Sequence, residues 1–241
     1  MKSAIVTSST QGIGKEIGLK LLSKGYFVIF NYYNSEIHKY ELEEYLREKE
    51  FKNYKIIKAD LTSYEGLELF IKEVNSQYLK IDCLVLNTGM TCRKKFDEIK
   101  YEDWQKVMDT NINIPFFLVQ KLKNIIEANG RIIFIGSMLG IIPHAVSIPY
   151  GVSKGAVHIL TKYLAKEFSV NGITVNAIAP GFIDTSWHQN KSYEQRNRIE
   201  NKIELNRFGI PSEISSIVKL IIENHYVNGT IIQVDGGYDM R

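Results

Sequence analysis

Cysteine is scarce in this chain of 241 residues: Cys83 and Cys92 are the only two. Cys83 lies in an apolar, strand-like run and reads as core, and neither cysteine has metal-ligand spacing, so no metal site is expected. A large charge of one sign is lacking too. The net charge of +3 is too small to argue for a nucleic-acid partner, and the lysines and arginines are dispersed rather than gathered in a stripe. The one short basic run, Arg93-Lys94-Lys95, reads as a solvated loop. No apolar run reaches membrane-spanning length, and the N-terminus enters a strand with no signal-peptide pattern. The expectation is a protein of the reducing cytoplasm with no membrane partner. Repeats, linkers and low-complexity segments are also missing. What is present is an ordinary globular composition, 44% hydrophobic, enough for a large core in one domain spanning residues 1–241.

The apolar pattern alternates between strands and helices. Ala4-Ile5-Val6 reads as a buried strand, followed by Thr7-Ser8-Ser9-Thr10-Gln11-Gly12-Ile13-Gly14 and an amphipathic helix from about Ile13 to Lys24. With a second strand at Tyr26–Phe30 this is a βαβ unit with glycines at its first turn. Such a turn exposes backbone N–H groups and a helix N-terminus to a phosphate. Further strands are predicted at Tyr54–Lys58, Ile81–Leu86, Arg131–Ile135, Ile173–Ile178 and Thr230–Val234, with Ala179-Pro180-Gly181 stopping the sixth sharply. Helices are predicted between them, with Thr62 or Ser63 as a cap and Pro211–Glu223 as the last. A long helical stretch at Tyr101–Glu127 is interrupted by Pro115, which cannot bond the Asn111 carbonyl; a kink there would leave that carbonyl, beside the Asn111 amide, free for water or a ligand. A helical piece is read over Tyr193–Asn206. The pattern implies a doubly wound α/β fold, a parallel sheet of about seven strands covered on both faces, with ligands outside the carboxyl ends of the strands.

The segment with the most chemistry is Ser137 to Lys154. It leaves a strand and enters a helix whose Pro149 suits the first helical position. Tyr150 and Lys154 then share one helix face, one turn apart. A positive charge beside a phenol favours the phenolate and so makes a proton donor and acceptor nearer neutral pH. Ser137 adds a neutral hydroxyl. The spacing alone is weak, because Tyr45/Lys49 and Tyr54/Lys58 repeat it and need only solvated faces. The strand-end serine, the helix-start proline and the small residues Gly151, Ser153, Gly155 and Ala156 set the third pair apart.

Taken in order, Thr7…Gly12-Ile13-Gly14, Asp60-Leu61, Asn87-Thr88-Gly89, Asn111, Ser137, Tyr150-x-x-x-Lys154 and Asn176-Ala-Ile-Ala-Pro180-Gly181 resemble a short-chain dehydrogenase/reductase from end to end. Gly130–Ser137 and Gly172–Asn176 most resemble the bacterial 3-oxoacyl-carrier-protein reductases of fatty acid biosynthesis. The resemblance implies a Rossmann-type fold with a substrate loop at about residues 182–210. It implies that Tyr150 exchanges a proton with a carbonyl oxygen, that Ser137 orients that oxygen, and that Lys154 lowers the tyrosine pKa and holds the nicotinamide ribose. Asn111 would hold a water that re-supplies the proton. Cofactor contacts would come from Thr7, Ser9, Gln11, Gly12, Ile13 and Gly14 at the phosphate turn, Asn31 and Tyr32 at the second strand, Asp60 and Leu61 at the adenine, and Asn87, Thr88 and Gly89 beyond it. Pro180, Gly181, Ile183 and Thr185 would meet the nicotinamide end, alongside Tyr150 and Lys154. A homotetramer is also implied, and Phe116, Phe117 and Leu118 suit subunit packing as well as core.

The chain departs from the family at three places. Ser8 replaces the first turn glycine and is strained if that position needs a positive φ. Thr88 replaces an alanine. Ala128 and Asn171 stand where carrier-protein reductases often have arginines, though Arg131 or Lys123 could compensate in docking an acyl carrier protein. No carboxylate follows the second strand until Glu36, which favours NADP(H) over NAD(H). The leading expectation is NADPH-dependent reduction of a 3-oxoacyl thioester. The alternatives are an NAD(P)-dependent dehydrogenase of a sugar, steroid or small secondary alcohol, and a non-catalytic dinucleotide sensor. Met138–Ile148 and Phe182–Lys191, with His144, Trp187 and His188, would decide the substrate; either histidine reads as a loop residue.

Overall fold

Seven strands form one parallel sheet, as the alternating pattern predicts, in a computed structural model that describes residues 1–77, 79–143 and 147–240. The strands are β1 (Ser3–Val6), β2 (Phe27–Tyr32), β3 (Tyr54–Lys58), β4 (Ile81–Leu86), β5 (Ile126–Ile135), β6 (Thr174–Pro180) and β7 (Ile231–Val234), in spatial order β3-β2-β1-β4-β5-β6-β7. The helices are α1 (Gly12–Ser23), α2 (Glu36–Glu48), α3 (Tyr64–Asn75), α4 (Tyr101–Met108), α5 (Ile114–Leu122), α6 (Ile148–Glu167), α7 (Tyr193–Glu200) and α8 (Pro211–Glu223). His144 lies outside the described residues.

Side-chain alternation along each strand divides the core in two. Ile5, Ile132 and Phe134 face α3, α5 and α6, while Val6, Ile133 and Ile135 face α1, α2 and α8. A sheet buried on both faces explains the near-continuous apolar strands. The strand order reverses between β1 and β4, which opens a crevice outside their carboxyl ends. α1 lies close on the sheet because residue 18 is glycine: a Cβ there would come within 2.1 Å of the Phe30 ring.

Several features differ from the sequence expectation, and β2 runs on to Tyr32 instead of ending at Phe30. β5 begins at Ile126, within the stretch read as helix, because Ile126 is buried and pairs with Ile81. β6 runs on through Pro180, which pairs with Val234. Bonds from Gly136 to Ile178 and from Gly181 to Val234 put the missing Pro180 N–H on the β5 side, beyond the last β5 pairing, so no ladder bond is lost. The helix at residue 193 stops at Glu200, and the turns that follow bury Ile203 in the core. Pro115 does not break the long helix. A π-helical turn, Asp109–Asn113, absorbs the missing hydrogen bond between α4 and α5.

Candidate active site

The β1–α1 turn is held from beneath by hydrogen bonds between strand ends. The Thr7 hydroxyl accepts the backbone N–H groups of Asn87 and Thr88, each at 2.9 Å. The Asn87 amide returns two bonds, to the carbonyls of Thr7 (3.1 Å) and Ser8 (2.8 Å). On the other side the Asn31 carbonyl accepts Ser9 N–H at 2.8 Å, and the Ser9 hydroxyl donates to Val6 and accepts Asn31 N–H. Asn31 Oδ1 accepts Ser8 N–H at 3.0 Å, while its Nδ2 faces the carbonyls of Tyr32, Ile57 and Ala59. The side chains of Thr7, Ser9 and Asn31 are thus buried and engaged within the protein, and they shape the turn from below.

Above this frame, Ser8, Gln11, Gly12 and Ile13 line one end of a cleft. Ser8 has φ 48°, the positive value that makes a serine costly there, and its hydroxyl meets that of Thr88 at 2.8 Å. Gly12 has φ 56°. Gly14 allows close packing: a Cβ would lie 2.6 Å from the Ser8 carbonyl and 2.9 Å from the Ser9 Cα. The N-terminus of α1 has no side-chain cap and no acidic residue in its first turn, so its N–H groups suit an anion.

Asp60 and Leu61 lie past β3, on the shelf beyond the turn. Asp60 Oδ1 accepts both the N–H (3.0 Å) and the hydroxyl (2.7 Å) of Thr62, and Ser63 is the cap of α3. Tyr32 pairs with Lys58, and Glu36 is held by the Lys58 ammonium at 2.5 Å and the Tyr32 hydroxyl at 3.1 Å.

Ser137, Tyr150 and Lys154 line the same cleft together with Asn87, Gly89, Pro180, Gly181, Ile183 and Thr185. Ser137 follows β5. Pro149 is the second residue of α6 rather than the first, with Ile148 preceding it. Lys154 is buried, and its ammonium donates to the Ile135 carbonyl at 2.7 Å and stands 5.7 Å from the centre of the Tyr150 ring. Burial pushes its pKa down to about 8. The Tyr150 phenol is displaced upward, not downward as the sequence implied. Burial dominates, and the Ser137 hydrogen bond and the Arg93 charge offset it only in part.

The Asn111 side chain is engaged within the protein: Oδ1 accepts Met90 N–H at 2.8 Å, and Nδ2 donates to the Met90 carbonyl and to Ser153 Oγ. Ser153 passes the connection on by donating to the Tyr150 carbonyl at 2.7 Å. The chain thus clamps the loop after β4 to the first turn of α6. Ser153 read only as a small residue in the sequence; its place three residues after Tyr150, on a neighbouring helix face, was the available signal. His158 is another residue that sequence reasoning passed over. Its ring wedges against the loop that carries Ser137, so that a Cβ on Gly136 would fall 2.4 Å from Nε2 and one on Gly140 2.8 Å from Cε1.

The segment after β6 folds across the cleft. Ser186 donates to Gln11 Oε1 at 2.9 Å, and Trp187 tilts against Tyr150 with ring centres 6.4 Å apart. His188 packs between Phe182 and Phe208. Arg131 is unsuited to docking a partner: it is 3% exposed and its guanidinium is bonded to the carbonyls of Asn129, Gly130 and Ile221. Lys123 remains exposed. Among the described residues, no group of three or more His, Cys, Asp or Glu side chains could hold a metal ion, and no helix is long and apolar enough to cross a membrane.

Comparison with known proteins is consistent with this geometry. A family model described as enoyl-(acyl carrier protein) reductase matches residues 7–239. A 3-oxoacyl-[acyl-carrier-protein] reductase of Staphylococcus aureus is 34% identical, over 99% of this chain and 98% of its own. One from Aquifex aeolicus is 33% identical, over 98% and 96%. Among solved structures, a short-chain dehydrogenase/reductase of Serratia marcescens superposes with a TM-score of 0.91 at 27% identity, covering 98% of this chain and 97% of that one. A blue fluorescent protein from a metagenomic library, in complex with NADPH, gives 0.91 at 28% identity, covering 98% and 97%.

Proposed function

The chain belongs to the short-chain dehydrogenase/reductase family of NAD(P)-dependent oxidoreductases, and we propose that within it the protein reduces the ketone of a 3-oxoacyl thioester with NADPH. The observation that carries this reading is the convergence of Ser137, Tyr150 and Lys154 on one cleft with the uncapped N-terminus of α1. The bound dinucleotide supplies the hydride. Gly12, Ile13 and the first N–H groups of α1 hold its phosphates, Asp60, Leu61, Thr88 and Gly89 border the adenosine, and Pro180, Gly181, Ile183 and Thr185 meet the nicotinamide. Thr7, Ser9, Gly14 and Asn31 act through the turn they brace.

Tyr150 gives its proton to the substrate oxygen, which Ser137 holds, and Lys154 assists beneath. Asn111 and Ser153 hold α6 in register, and the Asn111 carbonyl, in the π-turn, carries the water that returns the proton. NADPH is favoured over NADH because the carboxylate that follows β2, Glu36, is already held by Lys58 and Tyr32. Residues 1–241 act as one domain with a substrate loop at about 182–210, in the cytoplasm and as a homotetramer. Partly exposed Phe117 offers an apolar surface for that assembly, which sedimentation would test.

Following NADPH absorbance with a 3-oxoacyl thioester tests the activity, and repeating it with NADH tests the cofactor. Turnover that Tyr150→Phe abolishes supports the reading. A protein that binds NADPH and leaves the thioester intact loses the thioester.

A further inference from the structure

Two groups that act at the proton-transfer site hang on the short segment 135–140. The Ile135 carbonyl accepts the Lys154 ammonium at 2.7 Å, and the Ser137 hydroxyl hydrogen-bonds the Tyr150 phenol. Ser137 is fixed in turn by its own loop: its hydroxyl accepts Leu139 N–H at 3.1 Å and its carbonyl accepts Gly140 N–H at 3.0 Å. Whatever this segment rests on therefore sets the geometry at Tyr150. It rests on His158, which lies one turn after Lys154 on α6 and is 6% exposed. A Cβ on Gly136 would fall 2.4 Å from His158 Nε2 and 2.9 Å from Cδ2, and one on Gly140 would fall 2.8 Å from Cε1. Gly136 precedes Ser137 and Gly140 ends its turn. Neither glycine has a positive φ, so what each supplies is close approach and not backbone freedom.

Nε2 of this imidazole is buried with no hydrogen-bond partner among the described residues. A buried polar atom left unbonded costs stability, so a site that needed only filling would be better served by an apolar side chain. Its charge is not used either. Burial, with Lys154 and Lys162 nearby, pushes its pKa down to about 4, which leaves the ring neutral near pH 7. What remains is its shape: imidazole is the smallest flat side chain, and the two glycines close on its faces and edge. We infer that His158 is a positioning residue for proton transfer, its ring setting the height of the segment 135–140 over α6 and so the place of the Ser137 hydroxyl at Tyr150. His158 does not line the cleft, so it acts through that segment and not on a ligand. The inference rests on the reductase reading for the work that Tyr150 does, and adds to it a residue outside the cleft.

The contact can be broken from either side and then remade. In the full-length protein, His158→Ala removes the ring and Gly136→Ala drives a methyl into it. The double variant lets that methyl take the space the ring leaves, with the Ile178 carbonyl at 3.1 Å as its remaining close neighbour. Each single variant should lower kcat for a 3-oxoacyl thioester about tenfold or more, as a small misplacement of a reacting group does, while NADPH affinity in a fluorescence titration stays within about twofold. The double variant should recover part of the loss, so that the two effects do not add. The phenol gives a readout that needs no turnover. Its ultraviolet titration, taken as the difference from the same background carrying Tyr150→Phe, should move to higher pH in each single variant, because a displaced Ser137 no longer favours the phenolate. In the double variant it should move back. His158→Leu replaces His158→Ala where the latter does not fold, with the same losses expected. Single variants that melt earlier yet keep the wild-type kcat and Tyr150 titration overturn the inference, as do losses that simply add in the double variant. A titration that shifts and recovers as described, while no form reduces a thioester, removes the reductase reading and keeps the positioning role.

Discussion

The two ends of the cleft satisfy their polar groups in opposite ways. At the β1–α1 turn the side chains of Thr7, Ser9, Asn31 and Asn87 are all bonded inside the protein, across three strand ends. At the Tyr150 end, buried Nε2 of His158 and Nδ1 of His188 have no hydrogen-bond partner among the described residues. Buried polar groups left unpaired are costly and tend to mark functional places. The paired end suits a ligand that a whole family shares, and the unpaired end leaves polar atoms open to a ligand.

The comparison can be tested by experiments of decreasing effect. The largest belongs to Tyr150→Phe, which removes the transferable proton: kcat should fall roughly 10²–10⁴-fold, with cofactor binding retained in a fluorescence titration. Equal loss of cofactor binding would mean that the two ends are not separable.

Gly14→Ala attacks the rigid end. The new methyl meets the backbone of Ser8 and Ser9, which cannot swing aside, so thermal or urea unfolding should show a loss of about 1–3 kcal/mol together with weaker cofactor binding. Ser153→Ala should cost a similar 1–3 kcal/mol, by leaving buried Asn111 Nδ2 one partner short. That variant should also lower kcat more than KM, because it frees the first turn of α6.

The Tyr150 end should control the acid response. Burial pushes His158 and His188 down to about 4, helped by neighbouring lysines and, for His188, by Arg93 and Arg196. Between their ordinary value of 6.5 and about 4 the unfolded chain binds protons that the folded chain refuses. Stability is therefore complete above that window and declines as pH falls through it. Melting temperature should drop from pH 7 toward pH 4, and His158→Leu should flatten the slope. An unchanged slope would place the acid sensitivity elsewhere.

The smallest effect is expected from Ser8→Gly. Relief of the positive φ stabilises by up to about 1 kcal/mol, and the lost bond to Thr88 and the freer unfolded chain offset part of it. Tighter NADPH binding in this variant would show that the turn strain opposes the cofactor.

Much of the architecture was legible because strand and helix periods differ. β3 at Tyr54–Lys58, β4 at Ile81–Leu86 and α8 at Pro211–Glu223 lie where the pattern put them. Local reading failed where a distant partner decided. Ile126 joined a strand because Ile81 was there to pair with it, and Pro180 could extend β6 because its missing N–H lies past the end of β5. At the site, the residue types of Ser137, Tyr150 and Lys154 were visible in their spacing, whereas the Asn111–Ser153–Tyr150 connection was not. Asn111 and Ser153 are 42 residues apart.

By itself, then, the sequence determined the βαβ alternation, the glycine turn, the helix face shared by Tyr150 and Lys154, and the serine in the place of the first turn glycine. These follow from backbone geometry over a few residues. Only the tertiary structure decided that Thr7, Ser9 and Asn31 face inward, that burial raises the Tyr150 pKa, and that Trp187 comes to lie against Tyr150. Each of those depends on which atoms from remote segments exclude water or supply a partner, and no local spacing encodes that.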